Sequence, residues 1–147
     1  MSYPLRAGVP ASIREFLLSD SVLIELLNHT DTDNKVTVDK TDYDTDLPFV
    51  NIELFRGAHE NSDPYVSFDI LVNVMVHGKD LSQVYDVYGR IETILADCSL
   101  PTGFGWRYYA PVRLTNASYF ETFKRMQQDF YSVGGTFRVR GVRHDGN

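Results

Sequence analysis

The amino-acid sequence predicts an α+β domain: a mostly antiparallel sheet of about four strands, with an overlong hairpin, covered on one face by two helices. Two periodicities favour this class. Apolar residues alternate with polar ones through residues 49–57 and 65–76, which is typical of strands with one buried face. They recur three or four residues apart through residues 12–28 and 80–98, which is typical of amphipathic helices.

The first helix is predicted to begin at Ser12, because Ser12 and Glu15 form a capping-box pattern, and to run through residue 28. Asp20 can act as a second cap and divide it into two helices. Residues 29–46 contain six aspartates and few apolar residues, so they indicate a solvated acidic loop with room for a short strand over 35–39.

The hairpin is predicted from two neighbouring alternating segments. Residues 49–57 form its first strand with Asn51 and Glu53 on a wet face, residues 58–64 the turn, and residues 65–76 the second strand. A strand of about twelve residues spans roughly 40 Å, nearly twice the usual length. We therefore expect the hairpin to project beyond the core.

The remaining elements follow from caps and alternation. Asp80, with Gln83, is predicted to cap the second helix, where Gly89 costs about 1 kcal/mol unless something approaches it closely. A third strand is expected at 106–114, with Pro111 marking an edge or a bulge, and a fourth at 132–141, with a bulge at residues 134–135. The intervening residues 117–131 are interpreted as loop and extended chain.

Length and composition indicate one globular domain over residues 1–147, because 43% of the residues are hydrophobic and 23% charged. The N-terminus lacks the apolar run of a signal peptide, and no segment has the length of a membrane span. We therefore expect a protein that stays in the cytosol or in whatever is assembled there, with no membrane partner.

The net charge of −6 argues against broad nucleic-acid affinity, but the charges are segregated. Residues 31–46 contain six acidic and two basic residues, whereas residues 107–147 contain seven basic and three acidic ones. Two interpretations remain open. The charges form ordinary solvated surfaces, or they mediate pairing between copies of the chain.

No constellation of residues predicts an enzyme, a metal site or a cofactor site. The aspartates of residues 31–42 match some positions of a calcium loop, but Lys35 and Val36 stand where an oxygen ligand and a glycine are required. The histidines have no metal-ligand spacing and are interpreted as surface or turn residues; they are His29, His59, His77 and His144. The lone Cys98 is interpreted as structural.

The arginines of the last strand form the nearest pattern to a nucleic-acid surface in this sequence. Arg138, Arg140 and Arg143 with the aromatic residues Tyr131 and Phe137 are reminiscent of an RNA-binding sheet. Phe137 alternates out of phase with Arg138 and Arg140, which places it on the opposite, buried face. The pattern therefore favours a wet strand face over an RNA-binding one.

Four segments of the sequence carry a resemblance to a known family. They are "REFLLSDSVLIELLN", "LPFVNIE", "FDILVNVMVHGKDLSQVYDVYGRIETIL" and "YSVGGTFRVRG". In pattern and order they resemble the tail-terminator and related head–tail joining proteins of long-tailed bacteriophages. The resemblance implies a homo-oligomeric, six-membered ring that caps the tail tube protein, stops polymerisation and joins the head/neck connector, with DNA only passing through the lumen.

The resemblance also implies a location and a kind of contact. The protein would lie at the tail–neck junction of a virion assembled in the host cytoplasm. A closed ring needs two different matching patches on each subunit. The candidate interface residues are Asp42, Asp44, Asp46, Arg138, Arg140 and Arg143. Two alternatives stay open: a neck or stopper protein of the same connector, and a small intracellular domain that binds a ligand between helix and sheet.

Overall fold

The computed structural model describes residues 4–39, 47–63, 67–96, 106–108, 111–115, 123–125 and 128–143. The helices are α1 (Pro4–Leu18), α2 (Ser21–Leu27) and α3 (Leu81–Leu95). The strands are β1 (Val36–Val38), β2 (Phe49–Asp63), β3 (Ser67–Gly78), β4 (Trp106–Tyr108), β5 (Val112–Thr115), β6 (Phe123–Arg125) and β7 (Gln128–Arg143). The α+β class is thereby confirmed.

Three long strands form the body of the sheet. The strand order is β1-β2-β3-β7-β4, and β5 and β6 also pair with β7. Every pairing is antiparallel except that of β1 with β2. The third predicted strand is divided into β4 and β5, with Pro111, which cannot donate to a ladder, just before β5. The short strands raise the number from about four to seven in the described part of the chain.

The first helical segment consists of two helices. Asp20 caps α2, and its carboxylate accepts a hydrogen bond of 2.9 Å from the Leu23 N–H, as predicted. The predicted start at Ser12 is wrong, since α1 already begins at Pro4 and Ser12 lies inside it. Val9, four residues before Ile13, is fully buried, so tertiary packing extends the helix upstream of the local capping pattern.

The hairpin is longer than predicted. Residues 58–63 belong to β2, so the turn expected at 58–64 is wrong. The register between β2 and β3 shifts between Leu54 and His59 and again between Glu60 and Asp63. At these irregularities, extra residues of β2 have no direct partner in β3. Residues 58–63 can therefore belong to the strand although their composition is typical of a turn. Because β7 pairs with β3 from Ser67 to Gly78, the outer part of the hairpin is supported by a third strand.

The core lies between the helices and one face of the sheet. On β3 the predicted alternation is confirmed, with Ile70, Val72, Val74 and Val76 buried. The apolar face of α3 meets them through Val84, Val87, Tyr88, Ile91 and Leu95, with Ile94 partly buried. Cys98 lies outside the described residues.

In the acidic loop, β1 confirms the short strand, but Lys35 and Val36 are buried and not solvated.

The predicted bulge at residues 134–135 is wrong. The register of β3 and β7 continues without interruption past Gly134, and the irregularity lies in β5, between Arg113 and Thr115. A glycine is required at position 134 for a different reason. A Cβ atom there would overlap the Val74 carbonyl oxygen and the Met75 Sδ and would lie 2.9 Å from the Met75 Cα. The glycine therefore permits the close approach of β3.

Candidate assembly surface

The sheet has a second face, directed away from the helices, which we call the outer face. Register partners in an antiparallel sheet share a face, so its rows can be followed across β2, β3 and β7. They are Phe49, His77 and Ser132; Asn51, Met75 and Gly134; Glu53, Asn73 and Thr136; and Leu71 and Arg138. The rows change from aromatic to polar to charged along the strands.

The aromatic end of the outer face is buried. His77 is only 3% exposed, with its ring centroid 4.8 Å from that of Phe49 and 5.7 Å from that of Phe130. Its Nδ1 lies 2.6 Å from the Ser132 hydroxyl oxygen. The interpretation of His77 as a surface or turn residue is therefore wrong. The sequence assigned His77 to no strand, because the predicted strand ended at residue 76, and strand pairing brings Phe49 and Ser132 beside it.

The other histidines differ from His77. His29 lies in the turn after α2, partly buried, and its Nδ1 accepts a hydrogen bond of 3.0 Å from the Lys35 N–H, in agreement with a turn residue. The backbone of His59 lies in β2, so the turn expected there is absent. The side chain of His59 and all of His144 lie outside the described residues.

The middle of the outer face is held by side-chain hydrogen bonds. The Thr37 hydroxyl donates to the Asn51 Oδ1 over 2.9 Å, and the Asn51 Nδ2 donates to the Glu53 Oε1 over 2.8 Å. The Thr136 hydroxyl donates to the Asn73 Oδ1 over 2.6 Å. Asn51 is fully buried, contrary to the expected wet face, because these neighbours satisfy its amide.

The charged end of the outer face carries two of the candidate interface residues. Arg138 and Arg140 are exposed, and the intervening Phe137 and Val139 are buried on the helix side. Two residues apart on one strand, the arginines are about 7 Å apart along β7. Phe137 is therefore unable to stack a base beside them, which removes the aromatic part of an RNA-binding surface.

The other candidate residues are not brought to this surface by the described structure. Arg143 ends β7 as the register partner of Trp106, and its side chain lies outside the described residues. Asp42, Asp44 and Asp46 lie entirely outside them. The structure thus places Arg138 and Arg140 on the same face of β7. Their pairing with the aspartates stays a prediction.

An ion pair that the sequence did not reveal connects the helices. The Arg90 Nη2 lies 2.7 Å from the Asp20 Oδ1, and the Arg90 Nε donates to the Asp20 Oδ2 over 2.9 Å. The hydrogen bond from Arg90 lowers the pKa of Asp20, with a smaller contribution from the Leu23 N–H, and raises the pKa of Arg90. The pair is distant in sequence and joins the α1–α2 junction to α3.

An open cleft of about 400 Å³ lies between the end of α3 and β5. It is lined by Glu92, Leu95, Ala96, Pro111, Val112 and Phe137. A cleft of this kind, between a helix and a strand, is where the alternative ligand-binding domain would hold its ligand. No group of three or more potential metal-ligating side chains occurs among the described residues.

The chain was compared with known proteins. Neither a protein-family model nor a curated protein sequence matches it. Among solved structures, it is similar to a chain of the virion of a native gene transfer agent particle, with a TM-score of 0.61 and 18% identity over 96% of this chain and 99% of that one. It is also similar to the gp17 protein of bacteriophage SPP1, with a TM-score of 0.53 and 16% identity over 99% of this chain and 95% of that one.

In the part of the chain that the structure describes, no helix is long and apolar enough to cross a membrane. The two structural similarities extend over nearly the whole of each chain. At sequence identities of 16–18%, they show a shared fold. The chain therefore has the fold of a gene transfer agent virion protein and of bacteriophage SPP1 gp17, and its resemblance to bacteriophage proteins is confirmed at the level of the fold.

Proposed function

We propose that this chain is a structural, non-enzymatic virion protein that closes into a ring on the end of a phage tail tube. The ring ends polymerisation of the tube and provides the surface that joins the head or neck. The observation that supports this most strongly is the similarity of fold over 95–99% of the chains of two virion and phage proteins. The sequence resemblance to tail terminators supplies the finer role.

The ring, with six subunits by analogy, is proposed to form through heterologous contacts between different surfaces of one subunit. The segregated charges suit such contacts, because an acidic patch of one copy would meet a basic patch of the next. Arg138 and Arg140, exposed on one face, are the proposed basic patch. Asp42, Asp44 and Asp46 are the proposed acidic one.

The test is assembly in the presence of the tube protein. The purified chain, at tens of micromolar, should form rings visible by electron microscopy and measurable by light scattering, and it should stop growth when added to polymerising tubes. Light scattering on the protein alone does not suffice, because a ring can require its template to close. A chain that stays monomeric with tube protein present would exclude the proposal.

Two other roles are distinguished by the same preparation. A neck or stopper protein would form a ring that binds the head connector protein and leaves tube growth unchanged. A small ligand-binding domain would stay monomeric. Val112→Glu, which places a charge in the cleft beside α3, would abolish its ligand binding, while Val22→Glu at an exposed position serves as the control.

A further inference from the structure

Among the described residues, the outer edge of β2 has a partner over only a short distance. β1 pairs with Val50, Asn51 and Ile52, and Asp39 follows β1 with a positive φ of 51°. The Asp39 N–H donates to the Ile52 carbonyl over 2.8 Å, and its carboxylate accepts from the Leu54 N–H over 3.0 Å. Beyond that point, no described residue pairs with the outer edge of residues 55–63.

The length of this edge is sufficient for another strand. Residues 55–63 run beside residues 67–71 of β3, about 17 Å along the sheet, because the register shifts take up the remaining residues of β2. Rows of unpaired N–H and C=O groups on such an edge are a template for strand addition. We refer to residues 55–63 as the free edge of β2.

The backbone register indicates which groups face outward. The Val50 N–H donates to the Lys35 carbonyl and therefore points away from β3. Val50 pairs with Val76, and the other β2 residues with an even-numbered partner in β3 direct their N–H groups the same way. Antiparallel partners alternate between hydrogen-bonded and non-hydrogen-bonded pairs. His59 pairs with Ile70, which continues the even-numbered series of β3, so the His59 N–H is directed to the free edge.

β4 and β5 form part of the opposite edge of the sheet, and both are antiparallel to β7. Since β2 and β7 are both antiparallel to β3, β4 and β5 also run antiparallel to β2. Rotation about a ring axis parallel to the strands preserves their directions. The free edge of β2 in one subunit and the β4–β5 edge of the next would therefore meet antiparallel.

The charges of the two edges are complementary. Residues 55–63 contain two acidic residues and one arginine, whereas β4 and β5 together contain two arginines and no acidic residue. A pairing of like edges would place acidic segments together. A pairing of opposite edges places acidic against basic segments, which favours a second copy of this chain as the partner.

We propose that the free edge of β2 pairs antiparallel with the β4–β5 edge of a second copy of this chain, so that the ring is closed by a sheet continuous between subunits. The inference rests on the proposed ring and specifies its contact. The backbone hydrogen bonds supply the register, and the edge charges select the heterologous arrangement.

Hydrogen exchange measured by mass spectrometry tests the contact directly. Amides of residues 55–63, and those of β4 and β5, should exchange at least about tenfold more slowly in the ring than in the dilute monomer. A ring without this protection would overturn the inference and leave the proposed function intact. No ring with tube protein present would exclude both. Protection of residues 55–63 by tube protein bound to a monomer would assign the edge to the tube instead.

Two substitutions at one position provide the matched variants. His59→Pro removes the outward N–H and leaves the inward ladder to β3, since a proline is tolerated on an edge. His59→Ala retains the N–H and is the control. We expect both variants to melt like the parent, and His59→Pro to raise the concentration for half-assembly at least about tenfold. Equal assembly of the two variants would overturn the inference, and if His59→Pro does not fold, the exchange measurement decides.

Discussion

At the scale of single residues, Asp20 has two roles that share one carboxylate. It caps α2 through the Leu23 N–H and binds Arg90 of α3 at two positions. The capping role was predictable, because an aspartate directly precedes a helical pattern. The pairing was not, because Arg90 is 70 residues away in the sequence.

We predict that Asp20→Asn lowers stability at neutral pH and that the loss is pH-dependent. The pKa of Asp20 is lowered in the fold, so its stabilisation is complete above the unfolded value near 3.8 and decreases as the pH falls through the lower folded pKa. Urea unfolding at several pH values should show the parent and Asp20→Asn converging in acid. Glu25→Gln, an exposed carboxylate change on α2, is the control. A pH-independent difference would contradict the ion-pair explanation.

At Gly134, the sheet leaves no space for a Cβ atom. We predict that Gly134→Ala lowers the free energy of unfolding by about 2–3 kcal/mol, because its methyl group would overlap backbone atoms of Val74 and Met75 in the middle of the sheet. The midpoint of urea denaturation, at an unchanged m-value, measures this effect. An unchanged midpoint would mean that β3 and β7 can separate without cost.

At the scale of elements, α3 carries a glycine that the fold does not require. Gly89 is exposed, and a Cβ there would have nothing within 4 Å. We predict that Gly89→Ala raises the free energy of unfolding by about 1 kcal/mol, because alanine restores helix propensity. Thermal and urea denaturation measure it, with Gly134→Ala as the glycine whose replacement should have the opposite effect. A destabilised Gly89→Ala would reveal a contact on this side of α3.

On β7, the basic end of the outer face should matter more for assembly than for folding. We predict that the double substitution Arg138→Glu and Arg140→Glu leaves the melting temperature nearly unchanged, since exposed charges rarely contribute more than about 1 kcal/mol. In a partly desolvated contact, the same arginines contribute more through charge-assisted hydrogen bonds. Ring closure or tail joining should therefore be lost.

The control for this variant is Lys79→Glu, a charge reversal at an exposed position before α3. It should melt and assemble like the parent. Unfolding of the double variant would show that the arginines are structural. Normal assembly of the double variant at physiological salt would place the contact elsewhere, and Asp42, Asp44 and Asp46 would be the next residues to change.

At the scale of the whole molecule, the last strand lies inside the sheet and not at its edge. β7 lies between β3 and the edge strands β4, β5 and β6, so most of its partners precede it by tens of residues. The two edges of the sheet are left to short or interrupted strands. In the described part of the chain, the backbone groups without a strand partner lie along these edges, where the proposed contacts between subunits would form.

The segregated charges predict that assembly depends on salt. Raising sodium chloride from about 0.05 to 0.5 M shortens the screening length severalfold and should raise the concentration required for half-assembly. Sedimentation velocity of the chain with tube protein measures this, and the melting temperature over the same salt series is the control. Assembly that strengthens with salt would indicate an apolar contact between subunits.

The sequence by itself determined the class of the fold, the faces of β3 and α3, and the caps at Asp20 and Asp80. These features are local, because a period of two or of 3.6 residues reports which side of an element is buried and a cap acts within three residues. The exposure of Arg138 and Arg140 followed from the same alternation.

Only the tertiary structure decided the burial of His77 and Asn51, the start of α1 and the extension of β2 to Asp63. The burial of His77 and of Asn51 depends on partners in other strands, Ser132 and Thr37, and the extension of β2 depends on its pairing with residues 67–70. Periodicity indicates that a face is polar. Whether that face meets water or another polar group is decided by which strands are brought beside it.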